Sequence, residues 1–402
     1  AVGLYQKHQR ERMAGVVLRL LVALVSGSVV LVLIFYLLPG LYLGRGVFAL
    51  AGLISFFVIG TIRPVFYQSA DESAFKRRVL VLGCGERAAS IPRNLRRKAD
   101  RRGFEIVGFV SMPGHHNAVP ADQIIHLEDA SLAEYACSHD IDEIVVAMDD
   151  RRKSFPFDDL LECKLRGVEV LDLPNFFERE AGKVKLDLLS PSFIIFSDGF
   201  SRGTLRNALE RIFDVVVSLV LLILAAPVML LTAVAILWEC RSLKCPILYR
   251  QERVGLDGKT FEVLKFRSMR TDAEKDGKAV WATKDDPRVT RVGRFIRKTR
   301  IDELPQIFNV LRGEMSFVGP RPERPQFVQE LGRKLPYYHE RHRVKPGVTG
   351  WAQLNYPYGS SDRDAMEKLQ YDLYYVKNHS LLLDLLIILQ TVEVVLFGKG
   401  AR

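Results

Sequence analysis

Three uncharged apolar runs divide the chain. Leu20 to Leu38, Gly46 to Ile62 and Val215 to Trp238 contain no Asp, Glu, Lys or Arg, and the third is 24 residues long. A helix needs about 20 apolar residues to span a bilayer, so the first and third runs are long enough and the second is marginal. Pro39 to Arg45 joins the first two as a short turn, which predicts a helical hairpin with both outer ends on one side. Lys7, Arg10 and Arg12 precede the pair and Arg63, Lys76, Arg77 and Arg78 follow it, against a lone Arg45 in the turn. The positive-inside bias places the outer ends in the cytoplasm. The first run is too long for a cleaved signal peptide, and another run follows at once.

From about residue 76 to 197 the pattern changes. Short apolar runs (Val79–Leu82, Phe104–Val110, Ile144–Ala147, Val168–Leu173) alternate with helical stretches near Leu127–Ser138 and Phe157–Arg166. That βαβ rhythm predicts a doubly wound parallel sheet. Gly83-Cys84-Gly85-Glu86-Arg87-Ala88 follows the first strand, as in the dinucleotide fingerprint, whose glycines let backbone approach a pyrophosphate. The acid that should end strand two and hold a ribose is missing from Gly108-Phe109-Val110-Ser111-Met112, and no Tyr-x-x-x-Lys pair follows. A regulatory or structural domain is expected, ahead of nucleotide binding and well ahead of redox catalysis.

The third apolar run differs from the first two. Pro227 sits in its middle, in Ala225-Ala226-Pro227-Val228. Proline removes a backbone hydrogen bond and clashes with the preceding turn. Arg202, Arg206 and Arg211 lie before the run, and Arg241, Lys244, Arg250 and Arg253 after it. A straight span would leave one basic cluster outside. A break at Ala226-Pro227 that returns the chain to the same face keeps both in the cytoplasm, so a re-entrant helix is expected over about 206–238. Leu381 to Phe397 is apolar but interrupted by Asp384, Gln390 and Glu393, which predicts an interfacial or buried helix.

Charge narrows the function. The net charge is +10, and Arg241 to Arg300 alone holds 17 Lys/Arg against 8 Asp/Glu. Such a belt suits anionic lipid headgroups or phosphates. Nucleic acid is disfavoured, because no recognised module is present and an apolar run adjoins the belt. The five cysteines form neither CxxC nor a zinc spacing and are odd in number, which predicts a reducing, cytosolic setting. His339 and His342 could share a helix face, but a surface or substrate-facing place outweighs metal ligation.

Two adjacent carboxylates, Asp302 and Glu303, stand inside this belt in Arg300-Ile301-Asp302-Glu303-Leu304-Pro305-Gln306. Pro305 suits the first turn of a helix and Asp302 its N-cap. A cap alone leaves Arg291, Arg294, Arg297, Lys298 and Arg300 without a reason. That density of cations keeps a carboxylate ionised and draws phosphates toward it. An ionised Asp can attack phosphorus, and paired carboxylates with a diphosphate suit Mg²⁺. Gly319-Pro320-Arg321-Pro322 presents a guanidinium on a stiff loop, fit for bidentate phosphate recognition. Lys265 and Arg267, in Lys265-Phe266-Arg267-Ser268-Met269, add two more cations.

From about Thr204 to Arg402 the chain resembles the bacterial sugar transferase family, the monotopic polyprenyl-phosphate phosphoglycosyl transferases. The matching elements stand in order: the apolar run with Ala226-Pro227, Gln251-Glu252-Arg253-Val254-Gly255, Lys265 to Met269, the Asp302-Glu303 dyad, Gly319 to Pro322, and Lys345-Pro346-Gly347 through Gln353. The prefix resembles larger members, with transmembrane helices and a Rossmann-like domain; those usually have four such helices where two are visible here, which suggests segments upstream of Ala1. The resemblance implies a membrane α/β protein in three parts: a transmembrane helical region (1–68), a Rossmann-like domain (76–197) and a mostly α catalytic domain with re-entrant and interfacial helices (204–402). It implies transfer of a sugar 1-phosphate from a UDP-sugar, glucose or galactose, to undecaprenyl phosphate. UMP is released and a covalent aspartyl phosphosugar intervenes, initiating exopolysaccharide, capsule or O-antigen synthesis.

In that scheme Asp302 is the nucleophile and Glu303 its partner, the two also holding Mg²⁺. Lys265, Arg267, Arg297, Arg300, Pro320, Arg321, Pro322, Arg341, Lys345 and Asp372 bind substrate. The catalytic domain lies on the cytoplasmic face of the bacterial inner membrane, among membrane lipid. The Rossmann-like domain could pair subunits into a homodimer. Two rival readings remain: a membrane-anchored oxidoreductase or epimerase led by the GxGxxA domain, and a non-enzymatic scaffold for polysaccharide assembly.

Overall fold

The computed structural model describes residues 13–41, 44–69, 76–95, 103–112, 117–127, 131–150, 155–189, 199–200, 203–242, 245–270, 288–356, 359 and 361–397. Lys7, Arg10, Arg12, Arg202 and Lys244 lie outside the described residues, as do 271–287 of the basic belt. The chain divides into two units, Ala1–Phe196 and Ser197–Arg402.

The first unit begins with helices α1 (Met13–Leu37) and α2 (Arg45–Ser69). They lie against each other where a Cβ on Gly60 would meet Leu20 and where the rings of Phe35 and Phe48 stand 6.1 Å apart. Among the described residues their apolar stretches are Ala23–Leu37 and Gly46–Ile62, within helices of 25 residues each.

A five-stranded sheet follows, in the order β3-β2-β1-β4-β5, every pairing parallel. Its strands are β1 (Arg77–Leu82), β2 (Phe104–Val110), β3 (Ile124–Ile125), β4 (Glu143–Val146) and β5 (Glu169–Asp172). Helices α3 (Glu86–Asn94), α4 (Leu132–Ser138), α5 (Phe157–Leu165) and α6 (Leu173–Ala181) alternate with them. Strands buried on both faces read as continuous apolar runs. Val79, Val81 and Val145 pack on one side of the sheet with Phe104, Phe176 and Phe177, and Leu80, Leu82 and Ile144 pack on the other with Leu132 and Leu160. Ser131 and Glu134 form a capping box on α4, and Asp172 caps α6. The Rossmann-like expectation from the βαβ rhythm is met.

The second unit is built on α7 (Thr204–Cys240), among the described residues the one helix long and apolar enough to cross a membrane. The chain stays helical through Pro227. The break expected at Ala226-Pro227 is therefore not a gap between two helices; proline acts inside one, where it deletes a single ladder bond. Near its start a polar stripe faces inward. Glu210, Asp214 and Ser218 are buried at four-residue spacing, which places them on one face. Asp214 accepts from Ser316 Oγ at 3.0 Å and Phe317 N at 3.3 Å. Arg211 donates to the carbonyls of Val310 and Leu311. Near its end Ile236 is buried against Phe266 and Ile296.

Cys240 is joined to Cys245, with Cα atoms 6.5 Å apart. The cysteine count predicts a reducing, cytosolic setting, in which such a bond is uncommon. The left-handed turn at Arg241 that ends α7 folds the chain back and brings the two together, which no short motif announces. Cys84, Cys137 and Cys163 are free.

After α7 come the antiparallel strands β6 (Leu248–Val254) and β7 (Thr260–Phe266), then helix α8 (Arg291–Lys298), a 3-10 turn (Ile301–Glu303) and α9 (Gln306–Arg312). β8 (Ser316–Val318), α10 (Pro325–Lys334), a 3-10 segment (Tyr338–Arg343) and β9 (Gly347–Thr349) follow, with β9 parallel to β8. Helices α11 (Trp351–Asn355), α12 (Asp362–Asn378) and α13 (Leu381–Phe397) close the unit. α13 buries Asp384, Leu386 and Ile387 and exposes Leu382, Leu385, Val392 and Val395. Asp384 is satisfied there by the Tyr375 hydroxyl at 2.7 Å.

Candidate active site

α8 feeds into the paired carboxylates through an unusual turn. Thr290 caps α8, its hydroxyl accepting from Gly293 N at 2.9 Å. The helix ends at Lys298, and Arg300 then adopts φ +61°, in the left-handed region. A non-glycine residue there carries strain that clusters at functional sites. The turn swings Asp302 inward, where it is 9% exposed. Asn309 ties α9, which follows the turn, to β7: its side chain accepts from Leu264 N at 3.0 Å and donates to Glu262 O at 2.7 Å.

The two carboxylates live in different surroundings. Glu303 Oε1 is 2.9 Å from Lys265 Nζ, 3.1 Å from Arg321 Nη2 and 4.0 Å from Arg300 Nη1. Burial works against its charge, but Arg321 and Lys265 outweigh it and hold the carboxyl well below the usual carboxylate range. Asp302 is pushed the other way, by burial first and by the Glu303 charge second, with Lys265, Arg300 and Arg297 only partly offsetting them. Its Oδ1 is buried and has no hydrogen-bond partner. One carboxylate is thus fixed and neutralised, and the other is charged at some cost and left unengaged. Such divergent neighbours mark a reactive pair.

Two sequence motifs form one structural unit behind Arg321. A Cβ on Gly319 would lie 2.2 Å from Lys345 O, one on Gly347 2.1 Å from Gly319 N, and one on Gly350 2.2 Å from Gly319 O. These are backbone atoms that cannot yield. The three glycines let the Lys345–Gly350 turn and the Gly319–Pro322 loop lie in contact, extending the β8–β9 ladder. Gly347→Ala should therefore destabilise the protein by about 1–3 kcal/mol, the range for overpacking, read as a lower midpoint in denaturant unfolding of the detergent-solubilised chain. An unchanged midpoint would show that the ladder opens freely.

Arg341 and Asp372 support the same loop from beneath. Arg341 Nη2 is 2.8 Å from Asp372 Oδ2 and donates to Arg321 O at 2.9 Å, and its Nη1 donates to the Tyr338 hydroxyl at 2.9 Å. Both side chains are almost fully buried. His342, expected on the surface or facing substrate, is instead buried beside Tyr338. Burial, then the Arg341 charge, push it down to about 3, so it is neutral. His339 is exposed.

A cavity of about 1400 Å³ opens over the carboxylates. The structure brings to its wall Lys265, Arg267, Arg297, Arg300, Asp302, Glu303, Arg321, Arg341 and Asp372. Pro320, Pro322, Lys345, Ala226 and Pro227 do not line it. The lining also holds apolar side chains, Val217 and Leu221 from α7 and Ile388, Val392 and Val395 from α13. Sequence reasoning did not select Arg253, Lys368 or Gln353, which line it too. Lys368 precedes Asp372 by one helical turn on α12, a spacing that could have found it. Among the described residues no three His, Cys, Asp or Glu side chains converge as a metal site.

The glycine-rich loop of the first unit is filled from within. Asp149, on the loop after β4, accepts from Glu86 N at 3.0 Å and Arg87 N at 2.9 Å. A Cβ on Gly85 would sit 1.8 Å from Asp149 Oδ2. This glycine makes room for the protein's own carboxylate, at the amides where a dinucleotide would place phosphate.

The sequence model of the bacterial sugar transferase family matches residues 205–398, and a model described as a CoA-binding domain matches residues 1–154. Over 365 residues, 89% of this chain and 74% of the relative, the chain is 31% identical to the UDP-glucose:undecaprenyl-phosphate glucose-1-phosphate transferase of Xanthomonas campestris pv. campestris. The chain belongs to the bacterial sugar transferase family. A UDP-N-acetylgalactosamine-undecaprenyl-phosphate N-acetylgalactosaminephosphotransferase of Aeromonas hydrophila is 41% identical over 243 residues, 60% of this chain and 56% of that protein. A UDP-glucose:undecaprenyl-phosphate glucose-1-phosphate transferase of Klebsiella pneumoniae is 46% identical over 194 residues, 48% of this chain and 41% of that protein. The chain spans about half the length of these last two relatives. The sugar transferase match covers the whole cavity wall just described.

Proposed function

We propose that this chain transfers a hexose 1-phosphate from a UDP-sugar to undecaprenyl phosphate. The observation that carries the reading is the cavity, whose lining joins Asp302, with its unpartnered Oδ1, to a set of cations and a set of aliphatic side chains. An Asp302 oxygen bonds to the sugar-bearing phosphorus while the bond from that phosphorus to the bridging oxygen breaks, and UMP leaves with the oxygen. A phosphate oxygen of the lipid then bonds to the same phosphorus and expels the carboxylate, giving the diphosphate-linked sugar. Glu303 is the weaker nucleophile, because Lys265 and Arg321 already hold its charge. Asp302 Oδ1 and Glu303 would hold Mg²⁺ together with substrate phosphates, and the ion would neutralise charge on the departing UMP.

The polyprenyl tail lies along the aliphatic side chains that α7 and α13 bring to the cavity, and the sugar nucleotide enters from the cytoplasmic face of the bacterial inner membrane. α1 and α2 form the membrane hairpin, and α7 is re-entrant, turning back by a proline bend at Pro227 rather than by a gap between two helices. Support for re-entry comes from both ends of α7: Arg211 and Asp214 near one and Ile236 near the other pack on the same unit, while Leu219, Ile223, Leu224, Leu230 and Leu231 between them are exposed. The Rossmann-like domain serves a structural or regulatory role, which Asp149 in the fingerprint loop supports. The product starts an exopolysaccharide, capsule or O-antigen chain.

The test is UMP release with short-chain polyprenyl phosphate across UDP-glucose, UDP-galactose and UDP-N-acetylgalactosamine. UMP should appear with at least one donor, only with Mg²⁺ present, and failure with every donor would overturn the reading. The pH profile adds a check. A raised acid must lose its proton to attack, so the rate should fall as pH drops through a value above the ordinary 3.8 of Asp. A flat profile there would contradict it. Glu303 is the reverse case: its depressed value gives folding stability present above its ordinary 4.5 and lost below it.

A further inference from the structure

Glu239, at the C-terminal end of α7, stands in none of the motifs and does not line the cavity, though its charge acts on Arg267, which does. Its Oε1 accepts from Arg291 N at 2.7 Å, and its Oε2 from Val292 N at 3.2 Å. Those are the first two residues of α8. With Thr290 holding the Gly293 amide, the free donors of the first turn are all engaged. One turn before Glu239, Ile236 is buried against Ile296 of α8 and flanked by Ile301 and Leu304. The end of the apolar helix therefore grips α8 by two hydrogen bonds and one apolar contact.

What α8 carries gives that grip a consequence. Arg294, Arg297 and Lys298 reach the cavity from it, and Arg300, Asp302 and Glu303 follow directly in the chain. The loop after β7 supplies a second hold, Thr290 N donating to Ser268 O at 3.1 Å. A displacement of α8 would move its cations and the reacting carboxylate together. Small misplacements of that kind reduce rates steeply.

We infer that Glu239 is a positioning residue: it fixes α8 to the end of the apolar helix and so sets the cations and Asp302 over the substrate phosphates. The inference rests on the proposed transfer reaction for its kinetic arm only. Glu239→Ala should lower kcat/KM for UMP release by about tenfold or more, with kcat itself reduced. Glu239→Gln keeps one acceptor, at the Oε1 position that Arg291 N reaches at 2.7 Å and Val292 N at 3.4 Å, and should recover kcat to within about threefold of the parent.

Hydrogen exchange gives the arm that needs no activity. The amides of Arg291 and Val292 should exchange about tenfold faster in Glu239→Ala than in the parent or in Glu239→Gln. Unchanged exchange in the alanine variant would overturn the inference, as would equal impairment of the two variants, which would assign the effect to charge rather than to the bonds. If no donor yields UMP while exchange responds as stated, the transfer reading fails and the tether stands.

Discussion

Asp302→Asn yields a folded protein that releases no UMP. The loss should be on the order of 10⁴-fold or more, the scale for removing a nucleophile that works as part of a unit. Asparagine keeps the shape and hydrogen-bonding reach of the side chain but offers no anionic oxygen to phosphorus. Stability should not suffer, and the reason lies in the sign of the shift. Burial and the Glu303 charge raise the Asp302 carboxyl, so its ionised form opposes folding at neutral pH, and a neutral amide relieves that. An unchanged or slightly higher thermal midpoint with activity abolished is the expected pair of results. Residual turnover within tenfold of the parent would remove Asp302 from the nucleophile's role.

Arg341→Ala should lower stability by about 3–5 kcal/mol, because it leaves the Asp372 carboxylate buried without its counter-charge. Turnover should fall as well, since the Arg321 carbonyl loses its 2.9 Å clamp. The double variant Arg341→Met, Asp372→Leu separates the two effects. Apolar replacement of a buried ion pair is often neutral for stability, so unfolding should return to within about 2 kcal/mol of the parent while turnover stays low. Denaturant unfolding and UMP release, measured on both proteins, check this. A single variant as stable as the parent, or a double variant with full activity, would contradict the positioning of Arg321 from beneath.

The sheet of the first unit was legible because buried parallel strands write themselves as apolar runs and their turns as glycines. The reason for Gly85 was not, since Asp149 meets it from 64 residues downstream and no periodicity links them. Asp302 and Glu303 stood out through the surrounding cations. Their opposite fates did not, because which neighbour of Glu303 is 2.9 Å away depends on how β7 and the Arg321 loop converge. Arg341 and Asp372 read as substrate contacts in sequence; in the fold both line the cavity, and their pairing with each other was not legible. The motifs at Gly319 and Gly347 read as separate signals, and three glycine contacts make them one. Pro227 suggested an interruption, whereas a long helix absorbs a single missing bond when its two ends are anchored.

Chemical trapping decides the matter at one atom. The protein is mixed with UDP-sugar labelled in the sugar-bearing phosphate, without lipid acceptor, then denatured, digested and mapped. The label should appear on the peptide containing Asp302, be absent from Asp302→Asn, and leave the parent when polyprenyl phosphate is added before denaturation. Label on another peptide, or none while UMP is still released on addition of acceptor, would show that no bond forms between Asp302 and phosphorus.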